Sequence, residues 1–375
     1  MGGDCLNTGC VPSKALIRAA RAAHEIRTAS RFGVTAGEPQ VDFARVMGHV
    51  HQAISDIEPH DSVERYRSLG VEVYQDHATL TSPWEIQVGD QILTARHIVL
   101  ATGARPRVPP LPGIESAPVL TSENLWSLTE LPKRLVVLGG GAIGCELSQS
   151  FNRLGSQVTL VEGLPQLLGR EDQEVGELVE TTLADEGVKV MTDAKALEVL
   201  NDETGYQLVV MHHDERKLLP FDYLMVSAGR QANVEGLGLE ALGITTTQAG
   251  TLELNERLQT RLPNIWACGD LAGPYQLTHA AAHQAWHAAV NALFGELKSF
   301  AVDYRFMPAV TYVQPEVARV GLNEKEAKAK GIAFEVTRYA MNESDRAIAE
   351  GATAGFIKVL TVPGKDKILG ATIVA

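Results

Sequence analysis

The stretch LPKRLVVLGGGAIGCELSQSFNRLGSQVTLVEG, from Leu131 to Gly163, constrains this chain more than any other. An apolar run, RLVVL, leads straight into Gly139, Gly141 and Gly144 in GxGxxG spacing, then a helical pattern, then a second apolar run closed by Glu162. That succession reads as strand, tight turn, helix and second strand, a βαβ unit. Glycine is needed where the backbone turns sharply and approaches a pyrophosphate, whose charge rests against the helix N-terminus. The glycine triplet alone would be a weak signal, but the strand, the helix, the second strand and the terminal acid all stand in place. Glu162 would accept hydrogen bonds from ribose hydroxyls and repel a 2′-phosphate, so NAD is expected rather than NADP.

At 375 residues the chain has room for two or three domains, each with its own core. Its net charge of −13, with no runs of Lys and Arg, argues against nucleic acid as a partner. No apolar stretch approaches the roughly 20 residues that cross a bilayer, and the first residues lack a basic start followed by a hydrophobic segment. A cytoplasmic protein without a membrane partner is the expectation. Only four cysteines occur, and in a reducing compartment a close pair points to metal binding or catalysis before a structural disulfide.

Helical periodicity is expected from about Ser13 to Arg27 and again from about Phe43 to Leu69. The segments VEVYQDHATL, WEIQVG and QILTARHIVLATG read as strands separated by turns, a small antiparallel insertion leading into a buried strand. HIVLATGARP and LMVSAGRQAN echo one another, each placing an apolar strand before a glycine turn, as if two nucleotide-binding domains close in the same manner. An Ala- and His-rich helix is expected from about Leu277 to Leu293. From Tyr304 onward, strands with one Lys/Glu/Ala helix suggest a third domain.

The opening MGGDCLNTGCVPSKALI sets Cys5 and Cys10 five residues apart at a helix start, with Asn7, Thr8 and Gly9 supplying irregular backbone between them. A thiol at a helix N-terminus is acidified, which suits a redox thiol. Two ordinary structural thiols, or half of a metal site, are the other readings of the spacing. The metal reading needs two more ligands, and Cys145 and Cys268 lie alone in unrelated segments, where small core residues are expected. His279, His283 and His287 stand at i, i+4 spacing that could line a zinc site, but no carboxylate or cysteine shares that face. Solvated or cofactor-edge histidines are expected there, and no metal.

Together GGDCLNTGCVPSKAL, IVLATGARP, VVLGGGAIGCEL, VSAGRQAN, NIWACGD and PEVARVGLNEKEAKAKG resemble the class I pyridine nucleotide-disulfide oxidoreductases, nearest to dihydrolipoamide dehydrogenase and mercuric-reductase-like flavoproteins. The resemblance runs over essentially the whole chain. It implies an α/β fold with two doubly wound dinucleotide-binding domains, for FAD and NAD, plus a C-terminal α+β interface domain. The FAD domain would take residues 1–130 and 251–303, the NAD domain 131–250, and the dimerisation domain 304–375. The implied enzyme is a homodimer that passes electrons between NAD(H), FAD, a Cys5–Cys10 disulfide and a small-molecule or protein-bound thiol or disulfide.

Carried over by motif, Cys10 would lie against the flavin and Cys5 would exchange with substrate. Lys14 would sit near the flavin and could pair with Glu146. Thr102, Gly103 and Asp270 would serve FAD, Asp270 at its ribityl chain. Ile143, Gly229 and His279 complete the cofactor-binding set, beside Gly139, Gly141, Gly144 and Glu162. Glu162 disfavours an NADPH-specific reductase, and mercuric reduction is disfavoured by the lack of a C-terminal cysteine pair. The resemblance also implies truncation at both ends: an upstream FAD glycine motif and a downstream His-Glu pair are not in the sequence, and Tyr304–Ala375 contains no histidine. A non-catalytic NAD-binding remnant is the alternative reading.

Overall fold

A computed structural model describes residues 1–375. The chain divides into two compact units, each assembled from three stretches: residues 1–3, 58–105 and 230–304 form one, and residues 4–57, 106–229 and 305–375 form the other.

The larger unit is centred on a five-stranded parallel sheet. Arg134–Leu138 lies in the middle, with Tyr223–Val226 and then Val119–Leu120 on one side and Gln157–Val161 and then Lys189–Met191 on the other. Strands of a parallel sheet are covered on both faces, which is why RLVVL is apolar without alternation. Leu135, Val136 and Val137 are at most 2% exposed. Each such side chain contributes roughly 1.5–3 kcal/mol by leaving water. The expected βαβ unit is present, its helix spanning Ala142–Leu154.

An antiparallel ribbon over Ala194–Phe221 packs Leu208, Val210, Leu219 and Phe221 against Val136 and Leu138 of that sheet. Helices Cys10–Thr28 and Phe43–Ile57 share a core with the Ala142–Leu154 helix, Leu16 and Met47 joining Phe43, whose ring lies 6.1 Å from that of Phe151. Residues beyond Arg305 form a five-stranded antiparallel sheet with two short helices, Glu324–Ala329 and Asp345–Glu350. The sequence suggests only the first of these, although both have six residues. Lys358 of this sheet, 1% exposed, is neutralised by Asp172 and Glu174 at 2.6 Å and Glu324 at 3.0 Å.

The smaller unit holds the expected antiparallel insertion, Ala78–Ser82, Glu85–Val88 and Gln91–Thr94. A parallel pair, Ile98–Leu100 with Ile265–Ala267, and the helix Thr278–Phe294 also belong to it. Leu80, Ile98, Leu100, Leu237, Ile265 and Leu271 form its core. Two expectations need correction. The helix expected to Leu69 stops at Ile57, since Pro59 cannot continue a helical ladder, and a short one resumes at Val63–Ser68 after the Ser62 hydroxyl caps it by accepting from Arg65 N. The strand expected from Val71 begins only at Ala78, where its antiparallel partner begins to pair with it.

Candidate functional site

Two helices carry the paired cysteines: Cys5 lies in the short Gly3–Asn7 helix, and Cys10 opens the helix Cys10–Thr28. The second helix starts three residues before the periodic pattern does. Pro12 is tolerated there because first-turn N–H groups have no partner within the helix. Gly9 precedes it with φ −120° and ψ −105°, and a Cβ at that position would stand 2.9 Å from the Asp4 carbonyl oxygen. Within the turn, Thr8 N donates to Asp4 O at 2.9 Å and Ser13 N to Gly9 O at 3.1 Å. Both cysteines are half-buried.

Lys14 follows Cys10 by four residues and so lies on the same helix face. Its ammonium donates to Glu146 Oε2 at 3.0 Å and to the Ser13 hydroxyl at 3.3 Å. Glu146 belongs to the helix of the βαβ unit, and its other oxygen accepts the backbone N–H of Tyr312 at 2.8 Å. The Tyr312 ring lies 4.3 Å from the Lys14 nitrogen, within reach of a cation–π contact. A carboxylate whose side chain is only 7% exposed must be partnered, and Glu146 meets that need with one lysine and one amide. The Lys14–Glu146 pair could be anticipated from the motifs; Tyr312 could not, because nothing local links it to either residue.

The glycine turn is fixed by backbone contact. A Cβ on Gly144 would stand 1.8 Å from Gly139 O, whereas one on Gly141 would meet nothing within 4 Å. The helix behind it begins at Ala142 with no side-chain cap. Glu162 takes the N–H of Gly140 on one oxygen at 2.6 Å and that of Leu164 on the other at 2.8 Å. Each carboxylate oxygen keeps acceptor capacity for a ribose hydroxyl. Ile143 is 39% exposed beside the turn, and Gly229 adopts φ +107° with open space at its Cβ position. An open glycine face, an uncapped helix start and an anchored acid fit a dinucleotide.

Cys145 and Cys268 differ from the N-terminal pair. Burial pushes both thiols up, and the Glu146 and Glu162 charges add to the effect at Cys145, whose Sγ donates to Gly140 O at 3.4 Å.

In the smaller unit the two echoing segments meet. Thr102 Oγ1 donates to Asn233 O at 2.7 Å, while Asn233 returns its side-chain N–H to Thr102 O at 2.9 Å and its backbone N–H to Gly103 O at 3.0 Å. Asp270 follows the buried strand Ile265–Ala267 and is ion-paired with Arg230 at 3.1 Å. Fully buried Gln284 accepts from Gly269 N at 2.7 Å and donates to Gly273 O at 2.6 Å, which fixes the loop carrying Asp270. Neither Asn233 nor Gln284 stood out in the sequence, since an amide in a loop or helix has no distinctive spacing. His279 is exposed near the start of its helix, and the His287 ring nitrogen lies 2.9 Å from His283 O. No three His, Cys, Asp or Glu side chains cluster as a metal site would require. An acid and a hydroxyl-bearing glycine turn are the donor set that a polyol chain such as ribityl needs.

The profile described as "Pyridine nucleotide-disulphide oxidoreductase" matches residues 1–285, and the dimerisation domain of the same family matches residues 307–375. This chain belongs to the pyridine nucleotide-disulphide oxidoreductase family. The oxidoreductase is 33% identical over 378 residues to dihydrolipoyl dehydrogenase of Chlamydia pneumoniae, covering 100% of this chain and 80% of that one. It is 33% identical over 380 residues to mercuric reductase of Streptomyces lividans, with the same coverage. Among solved structures, the HOCl-induced flavoprotein disulfide reductase RclA of Escherichia coli superposes with a TM-score of 0.83 at 27% identity, covering 100% of this chain and 81% of that one. The oxidoreductase is thus an FAD-dependent enzyme of the NAD(P)H disulfide class, with the α/β fold expected of it. No helix is long and apolar enough to cross a membrane.

Proposed function

We propose that Cys5 and Cys10 are the redox couple of this oxidoreductase, that NAD(H) is its nucleotide, and that its substrate is a small-molecule or protein-bound thiol or disulfide. The observation that carries this reading is the placement of Cys10 at a helix start with Lys14 one turn behind it, the ammonium held by buried Glu146. The helix N-terminus and the ammonium both favour a thiolate on this face. FAD, when bound, supplies two-electron exchange with nicotinamide on one side and sulfur on the other.

The chain's own residues do the rest. In the reductive direction the Cys5 thiolate attacks a substrate disulfide, forms a mixed disulfide and releases one thiol; Cys10 then attacks Cys5 Sγ, releases the second thiol and closes the Cys5–Cys10 bond. Lys14 neutralises charge on the Cys10 face, and Glu146 keeps it there. Gly139, Gly141, Ile143, Gly144 and Gly229 would hold the dinucleotide, with Glu162 on its ribose. Thr102, Gly103, Asp270 and His279 would hold FAD, within a domain of residues 1–130 and 251–303. Residues 131–250 would form the NAD domain, and residues 304–375 the homodimer interface. Cytoplasmic placement suits a couple that must cycle in a reducing compartment.

The test is spectroscopic. In the FAD-loaded, two-electron-reduced protein, Cys10→Ser should abolish the long-wavelength thiolate–flavin absorbance while Cys5→Ser leaves it standing; equal spectra in the two variants would refute the assignment. Protein that stays colourless with FAD yet binds NADH would favour a nucleotide-binding remnant.

A further inference from the structure

The turn between the two cysteines is held from a distant part of the chain. Trp126 is 6% exposed, and its indole N–H is shared between two carbonyls: Ser122 O at 2.7 Å and Thr8 O at 3.0 Å. Thr8 lies between Cys5 and Cys10, and its own N–H is taken by Asp4 O at 2.9 Å, so the peptides on both sides of this residue are fixed. The anchor is rigid: Trp126 O lies 2.9 Å from His51 Nε2, and the neighbouring Leu125 is 1% exposed. Nothing in nucleotide binding or in the Lys14–Glu146 pair uses this indole.

We propose that Trp126 is a positioning residue for the thiol couple: by holding the Thr8 carbonyl it confines the turn and favours the Cys5–Cys10 disulfide over the dithiol. The inference rests on the redox reading of the cysteines given above. Closing a ring between two thiols costs the chain entropy of the segment between them, and a segment already tied down has less to lose. The contact is made with Cys5 and Cys10 as free thiols, so the turn is already restrained in the dithiol and loses little more when the ring closes.

The equilibrium in question is balanced. Reduction by glutathione breaks the Sγ–Sγ bond, adds two electrons and two protons to form two thiols, and joins two glutathiones as their disulfide. The experiment equilibrates the chain in glutathione buffers of graded ratio, quenches with an alkylating reagent and counts alkylated Cys5 and Cys10 by mass spectrometry. Trp126→Phe keeps an aromatic ring in the core but removes the donor. The expected result is a fall of about fivefold in the equilibrium constant for disulfide formation, the ordering entropy of about one residue set free in the dithiol. A constant within twofold of wild type, or one displaced toward the disulfide, overturns the proposal.

A measurement on the wild-type protein covers the case in which that variant fails to fold. A hydrogen-bond scalar coupling between the Trp126 indole nitrogen and the Thr8 carbonyl carbon should be present in both the oxidised and the reduced protein. Its absence from the reduced protein overturns the proposal. Wild-type protein that forms no Cys5–Cys10 disulfide at any glutathione ratio would instead bring down the redox reading, and this inference with it.

Discussion

Two helices of the larger unit begin behind a glycine with no side-chain cap: Gly9 ahead of Cys10 and Gly141 ahead of Ala142. Under the proposed function the helix dipole at each start would favour negative charge, a thiolate in one case and a phosphate in the other. They differ in what holds them. The glycine turn is closed mainly within its own motif, with Gly144 against Gly139 and Glu162, 22 positions after Gly140, on the Gly140 amide; one distant brace, Ser227, donates its hydroxyl to Gly139 O at 2.8 Å. The thiol turn has local locks, Gly9 against Asp4 and the Thr8 and Ser13 N–H groups on Asp4 O and Gly9 O, but it also relies on Trp126, Glu146 and Tyr312 from far along the chain. A turn that binds through backbone can be written largely into one contiguous motif; the proposed redox thiol also needs side-chain charge, and here that charge, Lys14, is held by Glu146 from 132 positions away.

The largest test of the contrast lies in the glycine turn. Gly144→Val puts a Cβ into the Gly139 carbonyl and should abolish NADH binding, whereas Gly141→Ala, with open space at that position, should fold as wild type and lose affinity only through contact with the nucleotide. Titration calorimetry with NADH, alongside thermal unfolding, separates the two. Equal losses of stability in both variants would mean that the turn is not locked by Gly144.

Glu146→Leu comes next. It strands the Tyr312 amide and the Lys14 ammonium, and should cost about 1–3 kcal/mol of unfolding free energy in denaturant titration. Glu146→Gln should recover most of the stability by still accepting from Tyr312, without restoring charge balance at Lys14. If Glu146→Leu unfolds like wild type, the long-range half of the comparison fails.

A smaller effect concerns the nucleotide. Glu162→Arg exchanges a ribose acceptor for a phosphate donor and should raise the NADPH-to-NADH preference in kcat/KM by roughly tenfold or more, the worth of one charge-assisted hydrogen bond. An unchanged ratio would remove Glu162 from cofactor selection and leave it as a brace for the Gly140 and Leu164 amides.

The fold was legible wherever burial follows chain order. RLVVL, the glycine triplet and the second strand fell where the pattern put them; beyond Arg305 strands were expected, but their antiparallel pairing and the second of two helices were not. The boundaries that failed were decided by single residues or by pairing: Pro59 breaks a helix that the periodicity carries through, and the strand at Ala78 needs its partner before it forms. Within the candidate site, Cys5, Cys10, Lys14 and Glu146 could be named in advance because motifs hold them. Trp126, Tyr312, Asn233 and Gln284 could not, because their work is to meet residues from 11 positions away, for Gln284 and Gly273, to far along the chain, and no local spacing records such meetings.

By itself the sequence settled the chemistry on offer: two thiols at a helix start, an ammonium one turn behind, and a glycine turn that only a close backbone approach would require. Tertiary structure decided which groups hold that chemistry in place. Local spacing can specify a helix start and its charge, because those follow from neighbouring residues. Confining a short turn and neutralising a buried carboxylate both require atoms from distant segments, and only the folded core brings them within hydrogen-bond reach.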